Sequence, residues 1–233
     1  MIKRAKALAV LIGLTIGIAT GAQAVAPDFM DKLSADTRPA EDKARDGSRR
    51  PYQVMRLLDV QEGMTVVDVA AGAGWYTEVL SAAVGPSGTV IAQFGPRGNA
   101  AERQARADRL GNVDAVFEGL PTIGAGVADR AVTALSLHHR NTAFLREIYE
   151  ALKPGGMAVI IDHEGSAGMD NDELHRMLKS DARSWIEEAG FEIVEDSELL
   201  HTSADDHSMY IMAPELGRDT DRFLFLVRRP AGN

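Results

Sequence analysis

The chain has 233 residues, a formal net charge of −9 at pH 7 and no cysteine, which excludes disulfides, thiol catalysis and lipid attachment at a cysteine. The acidic surplus argues against nucleic acid or an anionic membrane as the main partner. The length fits one ordinary α/β domain with a full hydrophobic core.

The chain begins with the three-part pattern of a secretory signal peptide. Three cations open it, namely Lys3, Arg4 and Lys6. An almost wholly apolar run over 7–19 follows, and Ala22-Gln23-Ala24 supplies small residues for cleavage. The run is shorter than the ~20 residues of a membrane-spanning helix. The sequence therefore predicts a cleaved signal peptide at 1–24, a periplasmic or secreted protein, and no stable membrane anchor; an uncleaved anchor is the alternative. Because the three cations leave with the signal, the formal charge of −9 would become −12.

Residues 25–50 are charged, carry two prolines and predict an N-terminal arm with one or two helices. The arm is expected to dock on a domain over 51–233, in which helices and strands alternate. Helices are predicted at 52–60, 75–84, 100–110, 141–152 and 173–190. Strands are predicted at 64–70, 89–94, 113–119, 131–137, 157–162, 191–199 and 222–229, with a helix stop and turn at 153–156.

Apolar strands separated by helices predict an α/β fold with a doubly wound, mostly parallel sheet of seven strands. No helix separates the last two strands, so the last strand is expected to be antiparallel. Ligands of such sheets bind at the carboxyl ends of the strands.

The stretch VVDVAAGAGWYTEVL at 66–80 is a strand, a glycine turn and the start of a helix. Gly72 and Gly74 would let the backbone approach a ligand closely, beside the free N–H groups of the helix. A dinucleotide fingerprint needs Gly or Ala where Thr77 stands, and Trp75 and Tyr76 would crowd a pyrophosphate. No Gly-Lys-Ser/Thr follows, which rules out a P-loop.

Four positions of this turn carry a resemblance to a known family: Asp68, Ala70, Gly72 and Gly74. They occupy the D-x-G-x-G-x-G pattern of class I S-adenosylmethionine-dependent methyltransferases, and LKPGG at 152–156 resembles the entry to that family's fifth strand. More narrowly, the chain resembles predicted methyltransferases that carry signal peptides, in RPAEDKARD, AAGAGWYTE, ELHRM, EEAGFEIVEDSELL, ADDHS and GRDTDRFLF. The resemblance implies the Rossmann-like methyltransferase fold and S-adenosylmethionine as cofactor.

The resemblance implies that Asp68, Ala70, Gly72, Gly74 and Thr77 contact the cofactor. It also implies cofactor contacts elsewhere in the chain. The family's second strand usually ends in an acidic residue that holds the ribose, but here Gln93 takes that position as a weaker ribose contact or as a harmless edge residue. Glu118 is placed to meet the adenine amine, or is a solvated charge. Arg45 would face the ligand's carboxylate if the arm closes as a lid. In the alternative, the arm's charges form only surface ion pairs.

Ionisable residues cluster after the fourth and fifth strands, which end in His138-His139-Arg140 and Asp162-His163-Glu164. We expect His138, His139 and His163 to be catalytic, as general bases during methyl transfer. A divalent metal held by His and Asp groups is a second interpretation, although no tightly spaced histidine pair marks a metal site. A third is that the residues only cap helices and bond each other. His175 could reach the same edge from a helix.

Two functions remain open from the sequence. The first is an exported methyltransferase acting on an oxygen or nitrogen nucleophile of an unknown small molecule, or of a protein. The second is a non-catalytic periplasmic binding module that uses the cofactor pocket for another small ligand or a metal. Export and Gln93 favour the second, since S-adenosylmethionine is not expected to be plentiful outside the cytoplasm.

Overall fold

The computed structural model describes residues 24–232, so the predicted signal peptide lies outside the described residues except for Ala24. The domain is built on one sheet of seven strands. The strands are β1 (Thr65–Val69), β2 (Thr89–Gln93), β3 (Val113–Val116), β4 (Ala128–Ala134), β5 (Leu152–His163), β6 (Glu192–Ser197) and β7 (Arg222–Arg228). The helices are α1 (Phe29–Ser34), α2 (Ala40–Lys43), α3 (Asp46–Arg49), α4 (Pro51–Leu57), α5 (Trp75–Val84), α6 (Ala100–Leu110), α7 (Thr142–Ala151) and α8 (Lys179–Glu188).

The sheet order is β3-β2-β1-β4-β5-β7-β6, in which only β7 runs antiparallel to its neighbours. This confirms the predicted doubly wound, mostly parallel sheet with an antiparallel last strand. The order reverses direction between β1 and β4, and ligands of open α/β sheets bind at such a switch point, beyond the carboxyl ends of the strands. Within residues 24–232, no helix is both long and apolar enough to cross a bilayer.

Hydrophobic residues cover both faces of the sheet. One cluster joins α4 and α5 to the sheet through residues such as Met55 and Leu80, and the other joins α7 and α8 through residues such as Leu145 and Ile186. Every residue of α5 is buried, because the arm packs over the side of α5 that faces away from the sheet. The arm has three short helices, not one or two.

The predicted helix at 173–190 is wrong over its first third, 173–178, because α8 begins only at Lys179. The side chain of Arg176 explains the difference. It is 1% exposed and forms a two-bond ion pair with Asp205, at 2.9 and 3.0 Å. This tertiary contact holds 173–177 in turns along the edge of the sheet, and His175 adopts a left-handed backbone with φ of +56°.

Among the other boundaries that differ from the sequence prediction, two bear on the site. The predicted turn at 153–156 lies inside β5, which starts directly after α7 and accommodates Gly155 with φ of +80° as an irregularity. The fourth strand runs from Ala128 to Ala134 and stops before the predicted end at Leu137. Leu135 has φ of +58°, and a single 3-10 turn follows over Leu137–His139. That turn directs the His138 ring at the end of β5.

Candidate active site

The turn between β1 and α5 holds Ala70, Gly72 and Gly74 in left-handed backbone, with φ of +53°, +60° and +91°. A Cβ atom on Gly72 would meet nothing within 4 Å, so this side of the turn is open. A Cβ atom on Gly74 would lie 2.7 Å from Cδ of Arg106. The two glycines therefore serve different purposes: Gly74 admits a side chain from α6, and Gly72 leaves the backbone accessible to a ligand.

Asp68 and Thr77 support this turn from the buried side. Asp68 is 2% exposed, and the Thr77 hydroxyl donates a hydrogen bond to it at 2.6 Å. Burial raises the pKa of Asp68 to about 7, against the weaker lowering effects of the Thr77 hydrogen bonds and the Arg49 charge. Thr77 is itself fully buried, so its side chain acts on the turn through Asp68 and does not reach the cleft.

Gln93 joins the carboxyl ends of three strands. Its Oε1 accepts from the Ala70 N–H at 3.0 Å, and its Nε2 donates to the Glu118 carbonyl at 2.9 Å. A carboxylate at this position could make only the first bond, because it has no N–H to donate. The amide that stands where the family pattern has an acid therefore braces the strand ends and supports the strained backbone of Ala70.

Two cavities lie at the carboxyl edge of the sheet. The first, of about 280 Å³, is lined by Ala70, Gln93 and Glu118, three of the predicted cofactor contacts. The second, of about 110 Å³, lies beneath the arm and brings the predicted residues Arg45 and His163 together. Both have the placement expected of a ligand cleft in this class of sheet.

The second cavity is strongly cationic. Four of its lining residues are arginines, namely Arg45, Arg49, Arg218 and Arg222. Arg45 pairs with the buried Asp42, whereas the Arg49 side chain forms no hydrogen bond or ion pair with any residue in 24–232. Burial lowers the pKa of Arg49 to about 10, so it remains charged at neutral pH. The sequence interpretation chose Arg45 and missed Arg49, although Arg49 follows it by one helical turn.

Trp75 and Tyr76 fasten the arm to the domain. The Trp75 Nε1 donates to the Asp42 carbonyl at 2.9 Å, and the two rings meet edge to face at 4.7 Å. The guanidinium groups of Arg38 and Arg49 lie 5.7 and 4.9 Å from the Trp75 ring. Both aromatic residues are buried, and neither lines either cavity, so they leave the open side of the glycine turn free.

His138 is held in one orientation by a buried carboxylate. Its Nδ1 lies 2.8 Å from Asp162 Oδ1, and its backbone N–H donates to the other carboxylate oxygen at 2.8 Å. Asp162 is 0% exposed. Because a carboxylate only accepts hydrogen bonds, the ring donates through Nδ1 and keeps the lone pair on Nε2. His138 is thus the histidine prepared to take a proton or to bind a metal.

The other predicted catalytic histidines lie near His138. The rings of His139 and His163 have centroids 4.1 and 5.9 Å from it. His163 is 7% exposed, with Nδ1 2.7 Å from the Thr220 hydroxyl. Burial, followed by the charge of His138, lowers the pKa of His163 to about 2, which makes it neutral but a weak proton acceptor. A general-base function therefore suits His138 better than His163.

The connection between β6 and β7 also reaches this edge. His207 Nε2 lies 2.8 Å from the buried Asp221, and Nδ1 of His207 lies 2.9 Å from the Ser166 hydroxyl. His201 approaches the same Asp221 carboxylate at 3.1 Å. These contacts hold the connection against the end of β5.

Known proteins support this description. Residues 67–160 match the methyltransferase-domain family. A demethylmenaquinone methyltransferase from Staphylococcus carnosus (strain TM300) is 28% identical over 114 residues, and these cover 47% of each chain, so the present chain spans about half the length of that relative.

Two solved structures show the same fold. One is an S-adenosylmethionine-dependent methyltransferase from Aquifex aeolicus, with a TM-score of 0.63, 21% identity, and coverage of 87% of this chain and 98% of that one. The other is described as a possible exported protein from Bordetella parapertussis, with a TM-score of 0.55, 14% identity, and coverage of 81% and 68%.

The sheet order, the glycine turn and the methyltransferase-domain match over residues 67–160 support a class I methyltransferase-like protein. This confirms the family resemblance seen in the sequence. The same match supports S-adenosylmethionine as the cofactor.

Proposed function

We propose that this protein is an exported S-adenosylmethionine-dependent methyltransferase that modifies an oxygen or nitrogen atom of a small molecule or of a protein. One observation carries the proposal. The open glycine turn at Gly72 is accompanied by a cavity lined by Gln93 and Glu118 and by a second, cationic cavity at Arg49. Such a cleft offers separate surroundings for an adenosine and for a carboxylate.

The cofactor, when bound, supplies a methyl group on a positively charged sulfur. The chain's residues would hold it from both sides. Ala70, Gln93 and Glu118 line the space for the adenosine, and the guanidinium of Arg49, with Arg45 beside it, offers a charge partner for the carboxylate. Most of the rate enhancement would come from alignment of the two reactants.

Proton removal is the secondary contribution. His138 is the base that the geometry favours, because Asp162 fixes its ring and leaves Nε2 free. The arm covers the cationic cavity and limits the access of water to it. His139, which is exposed at the same edge, lies where an acceptor would enter.

Export is supported by the sequence pattern at 1–24. The similarity to the Bordetella parapertussis protein agrees with it. Cells are separated into an envelope fraction, which includes the periplasm, and a cytoplasmic fraction, and the protein is located in one of them. The mass of the purified chain then shows where its N-terminus lies. A mature chain that starts after Ala24 is expected, and a cytoplasmic chain that retains Met1 would contradict it.

The cofactor prediction is tested by the melting temperature of the full-length protein with S-adenosylhomocysteine. A ligand that binds the folded state at 100 times its Kd adds about 2.7 kcal/mol of stability. Gly72→Asn keeps the left-handed backbone, which Asn tolerates, but fills the open space. We expect it to abolish the stabilisation.

Gly111→Asn is the matched control, because Gly111 also has a positive φ and free space around its Cβ position, but lies at the end of α6. It should leave the stabilisation intact. An equal response of both variants, or no response of the unaltered protein, would contradict the proposal.

The binding-module alternative rests on Gln93, whose amide is used inside the protein. It predicts indifference to S-adenosylmethionine and S-adenosylhomocysteine and stabilisation by an unrelated metabolite. The same melting experiment therefore distinguishes the two functions.

A further inference from the structure

Three imidazole rings meet at the carboxyl edge of the sheet, beside the cationic cavity. One nitrogen from each of His138, His139 and His175 lies within 4.8 Å of the other two. Nε2 of His139 and Nδ1 of His175 are 3.1 Å apart. Two nitrogens bound to one tetrahedral zinc ion at about 2.0–2.1 Å are about 3.3 Å apart. This pair already has the spacing of two ligands of one ion.

His138 is oriented as histidine ligands of metals usually are. Its Nδ1 faces the buried Asp162 carboxylate at 2.8 Å, which leaves Nε2 for an ion. A carboxylate behind a histidine ligand fixes the tautomer and raises the basicity of the ligating nitrogen. The ring centroid of His138 is 4.1 Å from that of His139 and 5.8 Å from that of His175. The nitrogens of the three rings lie up to 4.8 Å apart, and rotation of the exposed His139 ring can bring its nitrogen within bonding distance of an ion shared with His138.

The backbone of the cluster suits the same purpose. His175 has a φ of +56°, and strained left-handed residues other than glycine collect at functional sites.

We propose that His138, His139 and His175 bind one divalent transition-metal ion of the zinc type and leave its fourth position open. Imidazole suits Zn²⁺, Cu²⁺, Fe²⁺ and Ni²⁺ better than Mg²⁺ or Ca²⁺, and three protein ligands with one open position are typical of catalytic zinc sites. The ion binds whether or not the protein transfers methyl groups.

A consequence for the substrate rests on the proposed function. The His138 ring is 5.9 Å from the His163 ring, which lines the cationic cavity. An ion at the three histidines therefore lies beside the cofactor cleft, where its open position takes a hydroxyl or carboxylate oxygen. The site points to an oxygen acceptor, because a metal ion lowers the pKa of a hydroxyl that it binds, so that the hydroxyl loses its proton to water. With the ion bound, Nε2 of His138 is a metal ligand, and this step takes the place of proton removal by His138.

The site is tested with the full-length protein, purified without a histidine tag and stripped of metal with a chelator. Zn²⁺ stoichiometry is measured by elemental analysis and calorimetry, and Co²⁺ binding by visible absorption. We expect about one ion per chain. His139→Gln and His175→Gln should each weaken binding by at least about tenfold, the loss seen even when a residue behind a metal ligand is removed.

His201→Gln is the matched control, since His201 is exposed and contacts Asp221 outside the cluster. Its affinity should equal that of the unaltered protein. If His139→Gln and His175→Gln bind Zn²⁺ as tightly as this control, or if the unaltered protein binds none, the 3.1 Å contact is a simple hydrogen bond and the proposal is wrong.

The melting temperatures without metal establish that each variant is folded. Stabilisation by S-adenosylhomocysteine should persist in His139→Gln and disappear in Gly72→Asn, which should still bind Zn²⁺. Failure of metal binding is thereby distinguished from failure of the proposed function.

Discussion

Asp68 shows at the residue scale how burial changes the chemistry of the glycine turn. Its pKa is raised to about 7, against about 3.8 in the unfolded chain. Between these two pH values the Asp68 carboxyl group is therefore protonated in the folded protein and ionised in the unfolded chain. The folded state then binds more protons over this range, and the contribution of Asp68 to stability is lost as the pH rises from about 4 to about 7.

Asp68→Asn removes this titration and keeps an acceptor for the Thr77 hydroxyl. We expect the free energy of unfolding of the unaltered protein, minus that of the variant, to fall by up to about 1.4 kcal/mol per pH unit between about pH 4 and pH 7. Above pH 7 the difference should be constant. His163, whose lowered pKa makes stability rise toward neutral pH, cancels in the difference. Urea unfolding over this range gives the two curves, and parallel curves would show that Asp68 is ionised throughout.

The arm depends on a few contacts at the scale of the element. Helices α1–α3 have only four to six residues each, too short to be stable alone in water, so their order comes from tertiary contacts. Asp42 is central among these contacts. Its carboxylate forms ion pairs with Arg45 and Arg106, and its backbone carbonyl accepts a hydrogen bond from the Trp75 indole N–H. The arm thereby holds Arg49 over the cationic cavity.

Trp75→Phe tests this attachment. The change keeps most of the ring and removes the indole N–H, and the Asp42 carbonyl keeps only the Arg45 backbone N–H at 3.1 Å, so the expected cost is that of one hydrogen bond, about 0.5–1.5 kcal/mol. We expect faster proteolysis within 25–50 and weaker stabilisation by S-adenosylhomocysteine. Trp185→Phe on α8 is the control, because its indole forms no hydrogen bond with residues 24–232. Equal proteolysis rates for the two variants would mean that the indole contact does not hold the arm.

One ion pair connects three separate segments at the scale of the whole molecule. Arg176 and Asp205 are both 0% exposed in their side chains, and Arg176 also donates to the carbonyls of Glu164 and Met209 at 2.9 and 3.1 Å. The pair thus joins the end of β5, the turn that carries His175 and the β6–β7 connection.

Arg176→Met leaves the Asp205 carboxylate buried without its partner, which costs about 3–5 kcal/mol. Arg146→Met removes an exposed pair with Glu188, and its cost should stay below about 1 kcal/mol. Urea unfolding compares the two. A loss as small for Arg176→Met as for Arg146→Met would mean that water solvates Asp205 in the folded protein.

Regular elements were predicted best where the local pattern and the packing agree. Helices α5 and α6 have the predicted bounds, 75–84 and 100–110. The 173–177 stretch was predicted incorrectly, because its helical pattern is local and the Arg176–Asp205 pair that overrides it spans 29 positions. The candidate site shows the same difference between local and long-range information. The sequence predicted that Ala70, Gln93 and Glu118 lie at one cavity, as they do. It did not predict that Arg49 is unpaired among residues 24–232, because this depends on the ion pair of Asp42 with Arg45.

The sequence by itself determined the class of fold, the antiparallel last strand and the glycine turn between the first strand and its helix, because periodicity and turn chemistry are local properties. Only the tertiary structure decided that Gln93 braces the strand ends, that Trp75 serves the arm and that His175 joins His138 and His139. These outcomes depend on contacts between segments far apart in the chain, and such contacts follow from the packing of the whole domain.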